Sequence, residues 1–273
     1  MADLPPGLDP TIAEYYSRVP EEDRLTQGAF QLEAIRTRQL ILELGPPPPA
    51  MVVDIGGGAG AYSFWLAEQG FSVHLLDASP RLIEEARRRE AAGTPLASIR
   101  VGDARALPFA DRSATIVLLL GPLYHLTEAA DRVHALTEAR RVLEPGGVLF
   151  AAGISRWASA LDGLARDLLH DPAFAAIVQR DITEGQHRNP TERLDYFTTA
   201  FFHRPDELRA EVLGAGFAQC RVYGIEGPGW ILPDVSARMH DPERRAALLK
   251  VAELLQSEPS MSGISAHLLA VAR

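Results

Sequence analysis

Seven consecutive positions, Asp54-Ile55-Gly56-Gly57-Gly58-Ala59-Gly60, are suited to holding a nucleotide against bare backbone. Glycines there permit positive φ and let a ligand approach without meeting a Cβ. A helix starting at Ala61 would add unpaired N–H groups and a partial positive charge. Two kinds of ligand suit such a loop. A dinucleotide would lay its pyrophosphate on it, and Gly56-x-Gly58-x-x-Ala61 satisfies the tolerant form of that fingerprint. A nucleoside carrying an ammonium and a sulfonium needs no phosphate cradle. Asp54 discriminates between them, because a carboxylate beside the loop attracts cations and repels a pyrophosphate. Asp77 lies 23 residues after Asp54, near the ~20-residue offset at which an acid meets a ribose. Its other reading is a neighbour to a helix cap. Asp103 is either a further ligand contact or a turn cap.

These residues need elements to hold them. Residues 11–43 read as helical, interrupted at Val19-Pro20-Glu21-Glu22-Asp23, with Phe30, Ile35, Leu40, Ile41 and Leu44 as an apolar stripe. Gly45 and the four prolines after it form a stiff spacer. From Met51, strand and helix alternate. Strands are expected at 51–55, 71–76, 97–101, 114–120 and 148–152, and helices at 61–69, 80–91 and 126–142. Such alternation implies a parallel sheet covered on both faces, doubly wound by right-handed crossovers. After residue 153 the rhythm changes. Helices are expected at 155–170, 205–213 and 242–256, strands at 217–225 and 264–271, and irregular chain at 187–199 and 226–233.

Composition narrows the function. The 273 residues carry 27 basic and 36 acidic side chains, a net charge of −9, which disfavours nucleic acid and anionic membrane as partners. The single cysteine, Cys220, excludes an intrachain disulfide and a multi-cysteine metal site. The eight histidines are scattered, so no metal is expected. No apolar run is long enough to span a membrane, and no basic-then-apolar leader opens the chain, so the expected compartment is the cytoplasm. Lys250 is the sole lysine, which removes lysine-assisted chemistry from the core.

Asp54-Ile55-Gly56-Gly57-Gly58-Ala59-Gly60 resembles motif I of the class I S-adenosylmethionine-dependent methyltransferases. Leu75-Leu76-Asp77, Val101-Gly102-Asp103-Ala104, Leu107-Pro108-Phe109 and Arg140-Arg141-Val142-Leu143-Glu144-Pro145-Gly146-Gly147 resemble its later motifs, in the right order. The resemblance is close over about residues 30–153. It implies a seven-stranded, doubly wound Rossmann-like α/β sheet whose last strand is antiparallel, with helical cap insertions. It implies S-adenosylmethionine as cofactor and S-adenosylhomocysteine as product. Gly56, Gly58 and Gly60 would shape the loop, Asp54 would face the amino-acid end, and Asp77 with Ala78 would meet the ribose. Asp103 and the N–H of Ala104 would meet the adenine, and Leu120 would close the floor. Arg36-Thr37 resembles an Arg-Thr pair that binds the methionine carboxylate, the alternative being a solvated helix face. Tyr15 and Tyr16 are either a lid over the cofactor or surface packing.

In this fold the acceptor sits beyond the fourth strand, here at Leu120-Gly121-Pro122-Leu123-Tyr124-His125-Leu126. An acceptor hydroxyl or amine must lose a proton, and His125 is the first choice to take or orient it; otherwise it caps the next helix. Tyr124-His125 resembles the ubiquinone and natural-product methyltransferases, which implies a small-molecule acceptor. Tyr124 and His187 are the further catalytic candidates. Residues 1–45 are expected to be a helical lid and 46–273 the methyltransferase domain, with insertions at about 155–203 and 226–262. The insertions either roof an aromatic acceptor pocket or form a homodimer interface. Competing readings are a transferase acting on RNA or protein, and a nicotinamide-dependent oxidoreductase.

Overall fold

The computed structural model describes residues 9–19 and 24–273. The first residues and the Pro20–Asp23 part of the expected interruption lie outside them. Helix α1 is Pro10–Arg18 and α2 is Phe30–Leu44, with a 3-10 turn Arg24–Thr26 between them. There follow β1 (Met51–Ile55), α3 (Ala61–Glu68), β2 (Ser72–Asp77), α4 (Pro80–Ala92), β3 (Ser98–Val101) and β4 (Ala114–Leu119). Next come α5 (Pro122–His125), α6 (Ala129–Val142), β5 (Leu143–Ser155), α7 (Ala158–Ala165) and α8 (Pro172–Glu184). The chain continues with β6 (Gln186–His187), β7 (Ala200–His203), α9 (Pro205–Gly214) and β8 (Cys220–Gly224). It ends with α10 (Val235–His240), α11 (Pro242–Leu255) and β9 (His267–Ala272). No helix among the described residues is long and apolar enough to cross a membrane.

Strands β3, β2, β1, β4 and β5 run parallel in that spatial order. β9 lies antiparallel beside β5, and β8 antiparallel beside β9. These seven strands are the doubly wound sheet expected from the alternation. The β6–β7 hairpin adds two more. β9 occupies one edge of β5 as far as Ile154. β7, paired at Ile154 and Ser155, therefore takes the edge that β4 leaves after Ala151.

Period-two alternation sorts the strand side chains onto two cores. Val53, Ile55, Val117 and Leu119 face Leu136 and Ala139 of α6 and Leu208 of α9. Val52, Leu75, Ile116 and Leu118 face Leu40 and Ile41 of α2, Phe64 of α3 and Ile83 of α4. All of these strand side chains are fully buried.

Four expectations change. The helix expected at 126–142 starts at Ala129, so His125 ends a separate short turn. The helix expected at 155–170 stops at Ala165, shortly before Asp167 adopts a φ of 56°. α8 fills a stretch with no element assigned from sequence. Within the segment 226–262, Met239 and Leu248 pack on Leu32 of α2, and the segment supplies no residue to the cavity beyond β1 and β4.

Candidate cofactor and acceptor site

β1 and β4 lie side by side, with Asp54 level with Leu118. Their outgoing connections run to opposite sides of the sheet, which opens a crevice beyond their ends. A cavity of about 340 Å³ occupies it. The glycine loop forms its floor. Gly56 and Gly58 have φ of 68° and 58°, in the left-handed region that favours glycine. A Cβ on Gly56 would lie 2.5 Å from the Pro122 ring, and one on Gly57 would lie 2.5 Å from Asp54 Oδ2.

Asp54 is fully buried in the cavity wall. Its Oδ2 accepts a hydrogen bond from Ser63 at 2.6 Å, while its Oδ1 has no partner. Burial pushes its carboxyl up to about 6, with nearby Asp77 adding to the rise and the Ser63 hydrogen bond opposing it. A buried carboxylate oxygen lacking a partner is costly unless a donor reaches it, and a primary ammonium supplies one. Asp77 Oδ2 accepts the Gly58 N–H at 2.8 Å, and Oδ1 accepts the Ser79 N–H at 2.7 Å. Burial raises its carboxyl, and those two N–H groups work against the rise. Asp77 thus fixes the loop and still presents acceptors to the cavity. Ala78, Asp103, Ala104 and Leu120 line the same space. Asp103 holds Arg105 through both oxygens. Burial works to raise its carboxyl, but Arg105 outweighs it and holds the group below the usual range.

The far wall comes from α1, through Ile12, Ala13, Tyr16 and Ser17, and from Tyr124, His125 and Leu126. Tyr16 Oη lies 2.7 Å from His125 Nε2, and His125 Nδ1 lies 3.3 Å from the Thr199 carbonyl. A carbonyl can only accept, so Nδ1 carries the hydrogen and Nε2 accepts from Tyr16. Burial pushes the imidazole down to about 4, against the Thr199 contact. His125 is therefore neutral, with its basic nitrogen toward Tyr16. Its ring also meets those of Tyr124 and Phe197, at centroid distances of 4.7 and 6.0 Å. The 155–203 insertion backs His125 through Phe197 and Thr199 and supplies no cavity-lining residue itself.

Three sequence candidates lie elsewhere. His187 is buried outside the cavity, with Nδ1 2.8 Å from Asp181 Oδ2 and Nε2 2.8 Å from the Tyr196 carbonyl. Both ring nitrogens are occupied, so it braces the insertion. Arg36 is buried against Gln39 and Gln256, away from the cavity. Gly60 caps α3 at φ 84°, where a Cβ would strike the Phe64 ring, and it shapes the helix start without lining the cavity. The arginines that do line the cavity are Arg24, Arg81 and Arg89. Arg81 also donates to the Tyr16 carbonyl at 2.8 Å, which ties α1 to α4. Sequence spacing held no signal for Arg24, because the turn after α1 reaches the cavity only through tertiary packing; Arg81 and Arg89 lie on α4, whose basic residues read from sequence as a solvated face.

Comparison with known proteins agrees with this geometry. A methyltransferase-domain family profile matches residues 52–147. A demethylmenaquinone methyltransferase of Beutenbergia cavernae is 30% identical over 208 residues, covering 74% of this chain and 80% of that protein. A ubiquinone/menaquinone biosynthesis C-methyltransferase, UbiE, of Acidiphilium cryptum is 29% identical over 195 residues, covering 70% and 75%. An S-adenosylmethionine-dependent methyltransferase structure from Mesorhizobium loti superposes with a TM-score of 0.57 at 20% identity, covering 89% of this chain and all of that one. The orphan oxygen of Asp54, the bare glycine floor and the acceptors of Asp77 fit S-adenosylmethionine, and the two carboxylates repel a pyrophosphate, which sets aside the nicotinamide reading. The chain belongs to the class I S-adenosylmethionine-dependent methyltransferases of the small-molecule type.

Proposed function

We propose that this enzyme methylates a small hydroxylated aromatic acceptor of the quinol or phenol class, held between α1 and the turn after β4. The observation that carries this reading is the neutral His125, its Nε2 accepting from Tyr16 in a wall of Ile12, Ala13, Tyr124 and Leu126. The names of the Beutenbergia relative, a demethylmenaquinone methyltransferase, and of the Acidiphilium relative, a ubiquinone/menaquinone biosynthesis C-methyltransferase, support it. Bound S-adenosylmethionine supplies an electrophilic methyl and gives up its positive charge on transfer. Asp54 receives the ammonium, Asp77 the ribose hydroxyls, and Asp103 with Ala104 the adenine. α1 forms the lid, through Ile12, Ala13, Tyr16 and Ser17. As the acceptor hydroxyl loses its proton to the Tyr16 oxygen, the phenolic proton of Tyr16 passes to His125 Nε2. The acceptor oxygen then becomes nucleophilic; where the ortho carbon takes the methyl instead, the proton on that carbon moves to the ring oxygen and the aromatic hydroxyl is restored. His125 gains a positive charge as one leaves the site, so the buried net charge is unchanged. Burial keeps the imidazole neutral beforehand and disfavours its protonation, a cost offset by the positive charge that leaves the site in the same step.

The test is transfer of a labelled methyl group to a panel of quinols, phenols, amines, RNA and protein. Label in quinols or phenols is expected. Label confined to amines, RNA or protein would contradict the reading.

A further inference from the structure

The turn that carries His125 is fastened from outside the cavity. Arg132, on α6, is buried and does not line the cavity. Its Nη1 donates to the carbonyls of Leu126 and Thr127, at 2.9 Å each. These residues follow His125 directly, in the stretch between α5 and α6. Arg132 Nε lies 3.0 Å from each oxygen of Glu211 on α9, and Nη2 lies 2.6 Å from Oε1. The guanidinium carbon sits 3.7 Å from the centre of the Phe201 ring on β7. Gln186 pairs with Phe201 across the β6–β7 hairpin, and its side chain also donates to the Thr127 carbonyl, at 3.1 Å. His203 Nε2 lies 3.2 Å from Glu211 Oε2. Burial works to raise the Glu211 carboxyl, but His203 and Arg132 outweigh it and hold the group at about 2.

We propose that Arg132 is a positioning residue for His125. It fixes the turn against β7, so that Nδ1 keeps its hydrogen for the Thr199 carbonyl and Nε2 stays bare toward Tyr16. The inference rests on His125 receiving the acceptor's proton. The contacts form a closed circuit. His125 runs into Leu126 and Thr127, whose carbonyls accept from Arg132. Arg132 lies on Phe201, which follows Thr199 by two residues. The circuit closes at the long 3.3 Å contact between the Thr199 carbonyl and His125 Nδ1. The bond made at one ring nitrogen decides which nitrogen carries the hydrogen. A small drift of the turn takes that contact beyond bonding distance. The imidazole can then carry its hydrogen on Nε2 and donate to the Tyr16 oxygen. The phenolic proton of Tyr16 then finds no acceptor at His125, and the relay stops.

A carboxylate, two carbonyls and a ring face meet at one side chain. The planar fork of arginine serves all of them together, whereas lysine keeps the charge on a compact ammonium that cannot. A buried guanidinium so bonded also stabilises the fold. Melting temperature therefore does not separate the two roles, but the tautomer of His125 and the dependence of the effect on His125 do.

The test places Arg132→Lys in the full chain and, separately, in His125→Ala. Imidazole nitrogen NMR is expected to show His125 bare at Nε2 in wild type and carrying hydrogen there in much of the Arg132→Lys population. kcat should fall roughly tenfold, against the about 100-fold that an ångström of misplacement can cost. S-adenosylhomocysteine affinity should stay unchanged. In His125→Ala the same substitution should lower kcat no further, because the loss runs through the missing imidazole. Phe201→Leu, which removes the ring under the guanidinium, should move the tautomer and kcat the same way, and it serves if Arg132→Lys fails to fold. An unchanged tautomer or kcat in folded Arg132→Lys, or in Phe201→Leu in its place, would overturn the proposal. So would an equally large further loss in the His125→Ala background. Full turnover in His125→Ala itself would instead overturn the proton-accepting role of His125 beneath it.

Discussion

The Tyr16 hydroxyl lies 2.7 Å from His125 Nε2, joining the N-terminal helix to the turn after β4. Under the proposed function the contact would give α1 a chemical role, since the helix that lines the cavity also carries the phenol. Two further contacts seat it: Thr11 Oγ1 to Thr199 Oγ1 at 2.9 Å, and the rings of Tyr15 and Phe197 at 5.5 Å.

If this pair moves the acceptor proton, His125→Ala should lower kcat about 100-fold, the scale of general base catalysis. Tyr16→Phe should lower it by a smaller factor. Both should bind S-adenosylhomocysteine as wild type does. The check is steady-state kinetics beside calorimetry, and unchanged turnover in His125→Ala would assign the residue to structure.

If Asp54 receives the ammonium as proposed, it trades stability for binding. Its folded value of about 6 stands above the ordinary 3.8, so the folded state binds a proton more tightly than the unfolded one. Stability from this group is therefore present at low pH and is lost as pH rises through about 6. The difference is about 3 kcal/mol at neutral pH. Asp54→Asn should melt no lower than wild type at neutral pH and bind S-adenosylhomocysteine at least about tenfold more weakly. In wild type, affinity should fall as pH drops through about 6. A variant that melts well below wild type, or binds as tightly, would count against this account.

If Asp77 meets the ribose as proposed as well as bracing the glycine loop, its removal should show twice. Asp77→Ala should cost about 1–3 kcal/mol of cofactor affinity. It should also lower the melting temperature, because the Gly58 and Ser79 N–H groups lose their acceptor. Weakened binding with unchanged melting would deny the bracing role.

His187 should behave as a core residue. Removing it leaves Asp181, fully buried and also bonded to Ser159 at 2.6 Å, without its partner. His187→Ala should lose about 3 kcal/mol of stability in denaturant melts. Its kcat per folded molecule should stay near wild type. A large kcat loss in a fully folded variant would restore it to the site.

The parallel sheet and the cofactor floor were legible from sequence because their signals are local. Met51–Ile55 with its glycines, and the apolar, almost wholly buried run at β4, declare strand, loop and helix without help from distant residues. The cap was legible only in part. Asp171-Pro172 and Gly185 are start and stop signals for α8, and the N-cap and left-handed C-cap there act as such signals predict. The hairpin β6–β7 is short and pairs only through β5, so no period announces it. Arg36 and His187 had suitable residue types at suitable positions, but rotation about a helix and burial in a second core decided where they point. Arg24, Glu33, Glu226 and His267 meet across more than two hundred residues of chain, and spacing cannot show such a meeting.

The most direct measurement is a calorimetric titration of wild type and Asp54→Asn with S-adenosylhomocysteine and, separately, NADH. The account predicts saturable binding of S-adenosylhomocysteine to wild type, marked weakening in Asp54→Asn, and no binding of NADH. Folded wild type that ignores S-adenosylhomocysteine, or binds NADH in its place, would contradict it.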